Sequence, residues 1–112
     1  MKLKNVNAIE LVLFKPKPSV SEDEVKNSLT SLNSVLQSYD GFIARQLAKG
    51  KEDQWMDLVF WESMQDASFA AEDVLKNEKA IKAFEVIDER QMNFFHSEPV
   101  SQIFKHEPHS EG

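Results

Sequence analysis

The chain has 112 residues, of which 41% are hydrophobic, 29% charged and 10% aromatic, the make-up of one globular domain rather than of a disordered or collagen-like chain. No window approaches about 18 uncharged apolar residues, so no membrane span is expected. A net charge of −6, with its basic residues scattered singly, argues against nucleic acid as a partner. The one basic concentration, Lys15 and Lys17 with Lys2 and Lys4 upstream, is too sparse to change that. The absence of cysteine excludes disulfides, thiolate metal sites and a cysteine nucleophile, and makes a cytoplasmic location the default expectation. The apolar opening run is broken by Glu10 and has no small-residue cleavage site after it, unlike a secretory leader.

Residues 6–15, rich in β-branched and aromatic side chains, predict a first strand that ends at Pro16 and Pro18. Ser21 and Glu24 form a capping box, with Val20 and Val25 placed for a hydrophobic staple and three acidic residues in the first turn. Val25, Leu29, Leu32, Val35 or Leu36, and Tyr39 then recur at helical spacing, which predicts one helix ended by Gly41 in a left-handed conformation. Residues 42–48 predict a second strand, Lys49 to Asp53 a turn, and Gln54 to Trp61 a third strand in an antiparallel hairpin. Ser63 caps a second helical region, with Asp66 at the position of the capping-box acid. That region is interrupted at Lys76-Asn77-Glu78 and resumes through Ala80, Ile81, Phe84 and Ile87. Gln91 to Ser97 predict a fourth strand, residues 100–106 a short extra strand, and the last seven residues a polar tail. Residues 1–100 are expected to form the domain and 101–112 the tail.

The order strand, helix, strand, strand, helix, strand predicts an α+β, ferredoxin-like βαββαβ arrangement: a four-stranded antiparallel sheet with its helices on one face. Both parities of these strands are apolar. In the third, Met56, Leu58 and Phe60 alternate with Trp55, Asp57, Val59 and Trp61. In the first, Ile9, Leu11 and Leu13 alternate with Ala8, Glu10, Val12 and Phe14. Helices cover one face only. The other would expose about eight or nine large apolar side chains, more than a monomer usually leaves bare and close to the roughly 800 Å² a protomer contributes to a standard interface. A second copy laid sheet to sheet is the expected cover, so the chain is predicted to be a homodimer. A C-terminal segment folded over that face is the competing reading. Parity alone does not say which face is which.

Three stretches, Leu11-Val12-Leu13-Phe14-Lys15-Pro16, Asp40-Gly41-Phe42 and Leu58-Val59-Phe60-Trp61-Glu62-Ser63, resemble in order and spacing the dimeric α/β-barrel proteins related to antibiotic biosynthesis monooxygenases. The resemblance runs over residues 6–98. It implies the same βαββαβ unit, paired by dimerisation into an eight-stranded barrel, with a cleft between sheet and helices. Family members include cofactor-free oxygenases of aromatic polyketides, haem-degrading oxygenases, small-molecule isomerases and proteins without an assigned activity. In the oxygenases an indole on strand three lines the cleft, and Trp61 stands at that position.

Cofactor-free oxidation of a phenol requires a donor that stabilises the substrate anion in a water-poor pocket. Arg45, Asn93 and His96 are the catalytic candidates beside Trp61, with Asn7 as a further donor. Trp55, Asp57 and Trp61 are the candidate substrate contacts, Asp57 acting as a base if apolar neighbours raise its pKa. Each has a plainer reading: Trp61 as core packing, Arg45 with Asp57 as a cross-strand ion pair, His96 as a strand-end surface residue. Tyr39 falls on the apolar helix stripe and reads as core. The haem-degrading branch uses an axial histidine on the second helical region, and this chain has none between residues 62 and 95, so no haem and no other cofactor is expected. His106 and His109 with Glu107 and Glu111 lack a closed ligand shell and predict no metal site. The expected partners are a second copy of the chain and a small apolar or aromatic molecule. Two functions follow: a small-molecule-binding protein that acts as a cofactor-free oxygenase, or a non-catalytic ligand-binding or stress-associated dimer.

Overall fold

The computed structural model describes residues 5–103 and residue 105. Four strands, β1 (Ala8–Pro16), β2 (Phe42–Lys49), β3 (Trp55–Trp61) and β4 (Ile87–Ser97), form one antiparallel sheet in the order β2-β3-β1-β4. Between β1 and β2 lie α1 (Glu22–Thr30) and α2 (Asn33–Gln37), and between β3 and β4 lie α3 (Met64–Asp73) and α4 (Glu78–Ala83). This is the expected ferredoxin-like βαββαβ order. Among the described residues, no helix is long and apolar enough to cross a membrane.

Register assigns the two sheet faces. Ala8, Glu10, Val12 and Phe14 of β1 stand opposite Trp61, Val59, Asp57 and Trp55 of β3, and this set faces the helices. Ala8, Phe14, Trp55, Val59 and Trp61 are buried, packing with Val25, Leu29 and Leu32 on one side and with Leu36, Ala67 and Ala70 on the other. Val12 and Val59 therefore belong to the helix side. The opposite face carries Ile9, Leu11 and Leu13 against Phe60, Leu58 and Met56, with Phe95 beside Leu11. None of these seven side chains belongs to a core cluster.

The first helix starts as its sequence dictates. Ser21 Oγ accepts from the Glu24 amide at 3.1 Å, and Glu24 Oε1 accepts from the Ser21 amide at 2.9 Å. It does not continue unbroken to residue 39. Thr30 Oγ1 donates to the Lys26 carbonyl at 2.8 Å and Ser31 Oγ donates to that of Ser28, so side chains compete for carbonyls the helix ladder uses. The Leu32 amide turns to the Leu29 carbonyl, a three-residue step, and α2 begins on a shifted axis. The second helical region is broken as expected: Asn77 Oδ1 accepts from the Ala80 amide at 3.0 Å and starts α4. Strand β4 begins four residues earlier than expected, because Ile87 pairs with Pro16 across a register shift. The extra strand expected over residues 100–106 is absent from the described part of that segment. Val100 and Ile103 are 98% and 92% exposed and join no ladder. The tail histidines lie outside the described residues.

The first helical region ends at Gln37, capped by Ser38, earlier than the expected stop at Gly41; Gly41 instead turns the chain into β2 with φ +82°, and a Cβ built there would overlap the Asp66 side chain. Gly41→Ala is therefore expected to destabilise the protein by about 1–2 kcal/mol from the left-handed conformation alone, with the overlap adding to it. Urea unfolding measures the loss, and Asp66→Ala in the same background should recover only the part due to the carboxylate, since the Cβ of residue 66 also lies 2.7 Å from the built Cβ.

Candidate functional site

The helix-side face of the sheet does not close completely under the helices. A cavity of about 200 Å³ remains between β1, β3 and β4 below and α3 with its flanking turns above. Its wall is mostly apolar: Val12, Val59 and Trp61 from the sheet, Leu36, Ala70 and Ala71 from the helices, and Phe84 and Phe94 toward the β4 side. Small residues on α3 keep it open, since Ala70 and Ala71 stand where larger side chains would fill the space. Four charged residues, Glu10, Arg45, Asp57 and Glu89, also line it.

Arg45 and Asp57, candidates for the substrate-polarising donor and the base, form instead the cross-strand ion pair of their plainer reading. Arg45 Nε donates to Asp57 Oδ1 at 2.9 Å and Nη2 to Oδ2 at 2.7 Å, with side chains only 5% and 14% exposed. Nη1 donates to the Leu29 carbonyl at 2.7 Å and to Asn33 Oδ1 at 2.9 Å. The guanidinium thus bridges β2 and β3 to the end of α1 and the start of α2, where the Leu29 carbonyl accepts both from Arg45 and, in a three-residue step, from the Leu32 amide. Its donors are committed to the fold, and both Asp57 oxygens are held by the same pair, which leaves neither group free to serve as the substrate-polarising donor or the base.

Trp61 is fully buried and lines the cavity, its ring edge-on to Phe42 at 5.8 Å between centroids. Its Nε1 is closed to solvent and has no partner among the described residues, so it meets the cavity with ring rather than with a donor. Trp55 stacks on Phe14 with centroids 6.1 Å apart and is packed in the core rather than in the cavity wall. Asn93 stands opposite Leu13 on the far face of the sheet, away from the cavity. Asn7 Nδ2 donates to the Glu62 carbonyl at 2.9 Å, tying the start of β1 to the end of β3. Tyr39 is half-buried, and its hydroxyl donates to Asp73 at 2.8 Å. Burial and that carboxylate push its pKa up to about 12.

His96 is placed by β4 directly opposite Glu10 of β1, and its Nε2 lies 3.1 Å from Glu10 Oε1. The two side chains are 19% and 14% exposed. Burial raises the Glu10 carboxyl above its ordinary value, the contact with His96 opposes that rise, and the neighbouring Asp57 adds to it. Sequence reasoning passed over Glu10. The available signal was its position: a single carboxylate in an otherwise apolar strand, sharing parity with Val12 and Phe14.

Two measurements follow. Removing one partner of the Arg45–Asp57 pair, as in Arg45→Ala, should cost about 3–5 kcal/mol, because an uncompensated charge stays buried. Replacing both by apolar residues, as in Arg45→Met with Asp57→Leu, should restore most of that in thermal unfolding. The second concerns Glu10. Its folded-state pKa lies above the ordinary 4.5, so the folded chain holds that proton more tightly than the unfolded chain. The stabilisation is fully present below the ordinary value and is lost as pH rises through the folded one. Unfolding free energies measured from about pH 4 to about pH 7 should therefore shift in favour of Glu10→Gln relative to the parent as pH rises.

No protein-family model and no curated protein matches the chain. Solved structures do. A proposed antibiotic biosynthesis monooxygenase from Bordetella bronchiseptica superposes with a TM-score of 0.72 at 14% identity, covering 87% of this chain and all of that one. A dimeric ferredoxin-like protein from an uncultured marine organism gives 0.65 at 15% identity over 91% of this chain and 95% of its own. SnoaB, a cofactor-independent oxygenase from Streptomyces nogalater, gives 0.63 at 10% identity over 92% of this chain and all of its own. At these identities the likeness is one of backbone, and what the chain shares with these proteins is the ferredoxin-like fold.

Proposed function

We propose that the protein is a small-molecule-binding homodimer, each subunit holding one compact apolar or aromatic ligand between its sheet and its helices. The cavity of about 200 Å³ carries this reading. An apolar cavity of about 150 Å³ accommodates a benzene-sized molecule, so one ring with a short substituent is the size that fits here. The cavity is smaller than the roughly 300–1,000 Å³ of drug-sized sites, which speaks against ligands of several fused rings.

Binding is favoured over oxygenation by the placement of the polar groups. Stabilising a substrate anion needs free donors converging on one point. Arg45 is spent on Asp57 and the α1 end, Asn93 stands on the opposite face, and His96 is paired with Glu10. A cysteine-free, acidic chain of this kind suits a reducing cytoplasm.

The dimer is supported by the apolar face that the helices do not cover, built from Ile9, Leu11, Leu13, Met56, Leu58, Phe60 and Phe95. A second copy laid on that face removes it from water without touching the cleft. Calorimetric titration with propylbenzene tests the ligand chamber: the parent should bind it, and Ala71→Phe, which fills the space, should abolish binding while the protein stays folded. Leu11→Asp and Leu58→Asp test the interface and should give folded monomers in sedimentation. Asp at Val12 or Val59 should instead unfold the chain, because both belong to the helix side. A parent that sediments as a monomer at micromolar concentration would overturn the dimer.

A further inference from the structure

We infer that the chamber is selective for small apolar amines, the ammonium group seated on the open side of the Glu10 carboxylate and the hydrocarbon body against the aromatic wall. This rests on the reading of the cleft as a ligand chamber and adds the chemistry of its occupant.

The charges around Glu10 carry the inference. From β2 and β3, Arg45 and Asp57 cancel each other in a closed bidentate pair. From β4 come His96, which engages Oε1 of Glu10, and Glu89, a second carboxylate in the wall. The helices contribute only apolar side chains to the lining. What remains at this end of the cavity is one carboxylate whose Oε2 has no hydrogen-bond partner among the described residues, with no unspent lysine or arginine in the lining. A carboxylic acid ligand would meet like charge there. An ammonium would find a charge-assisted acceptor and, in Trp61, Phe84 and Phe94, the aromatic rings that favour cations. Burial raises the Glu10 carboxyl, as expected of a carboxylate withdrawn from water with too few partners, and an ammonium supplies the missing one.

The inference is tested with four probes of one shape: 2-phenylethylamine, 2-phenylethanol, phenylacetate and propylbenzene, titrated calorimetrically into the full chain. At about pH 7.5 the amine should bind at least about tenfold more tightly than the alcohol, and more tightly still than the carboxylate, as hydrogen bonds to charged groups require. Glu10→Gln should remove that preference and leave propylbenzene binding unchanged. In the parent, amine affinity should fall as pH is lowered through the raised Glu10 value. Propylbenzene should show no such dependence. Equal or tighter binding of the alcohol or the carboxylate, or a preference that survives in Glu10→Gln, would overturn the assignment while the ligand chamber stands. Failure of all four probes, propylbenzene included, would remove the chamber reading and this inference with it.

Discussion

The closed pair of Arg45 and Asp57 sits where three parts of the molecule meet, and much else follows from it. A guanidinium held at about 3 Å by two carboxylate oxygens can lie beneath helices only if its remaining donors are also satisfied. They are, by the Leu29 carbonyl and Asn33, so the interruption of the first helical region and the buried cation are complementary. At the break the Leu29 carbonyl accepts from the Leu32 amide in a three-residue step and also from the guanidinium. Without the arginine, that carbonyl would lose its charge-assisted partner and keep only the backbone one. The pair fixes β2 and β3 to the helical layer and, being self-neutralising, leaves Glu10 as the charge that sets the cleft's character.

What was legible in the sequence were the features whose cause is local. The Ser21–Glu24 box, the left-handed Gly41 and the turn between β2 and β3 each depend on a few neighbouring residues, and each stands where expected. The apolar nature of both parities of β1 and β3 was also plain. Which parity meets the helices was not, since that depends on pairing between residues about 50 positions apart, as Glu10 with Val59. The same limit hid the site. Asn93 and His96 lie three residues apart and looked equivalent as candidates, yet an odd spacing along a strand sends them to opposite faces. The helix break was missed because Thr30 and Ser31 compete for carbonyls only once the chain is already helical.

The solved structures that superpose on this chain share only 10 to 15% of its residues among those compared above, which says what the fold requires. It requires alternation, caps and turns at the right intervals, with volumes that fill the layer between sheet and helices. It does not require any particular polar group in the cleft. The identity of those groups is therefore free to change between proteins of one backbone, and function has to be argued from the side chains present in each.

The wall formed by α3 has an evolutionary consequence. Alanines at positions 70 and 71 face the cavity from a helix whose backbone is anchored elsewhere, by the Ser63 cap and by Ala67 packed on the sheet. Each is one point mutation from a bulkier neighbour, and neither takes part in a hydrogen bond through its side chain. The volume of the cavity can thus be graded by single nucleotide changes without disturbing the frame. A lineage built on this scaffold can widen or narrow that space in small steps, leaving Glu10 in place and altering only the room around it.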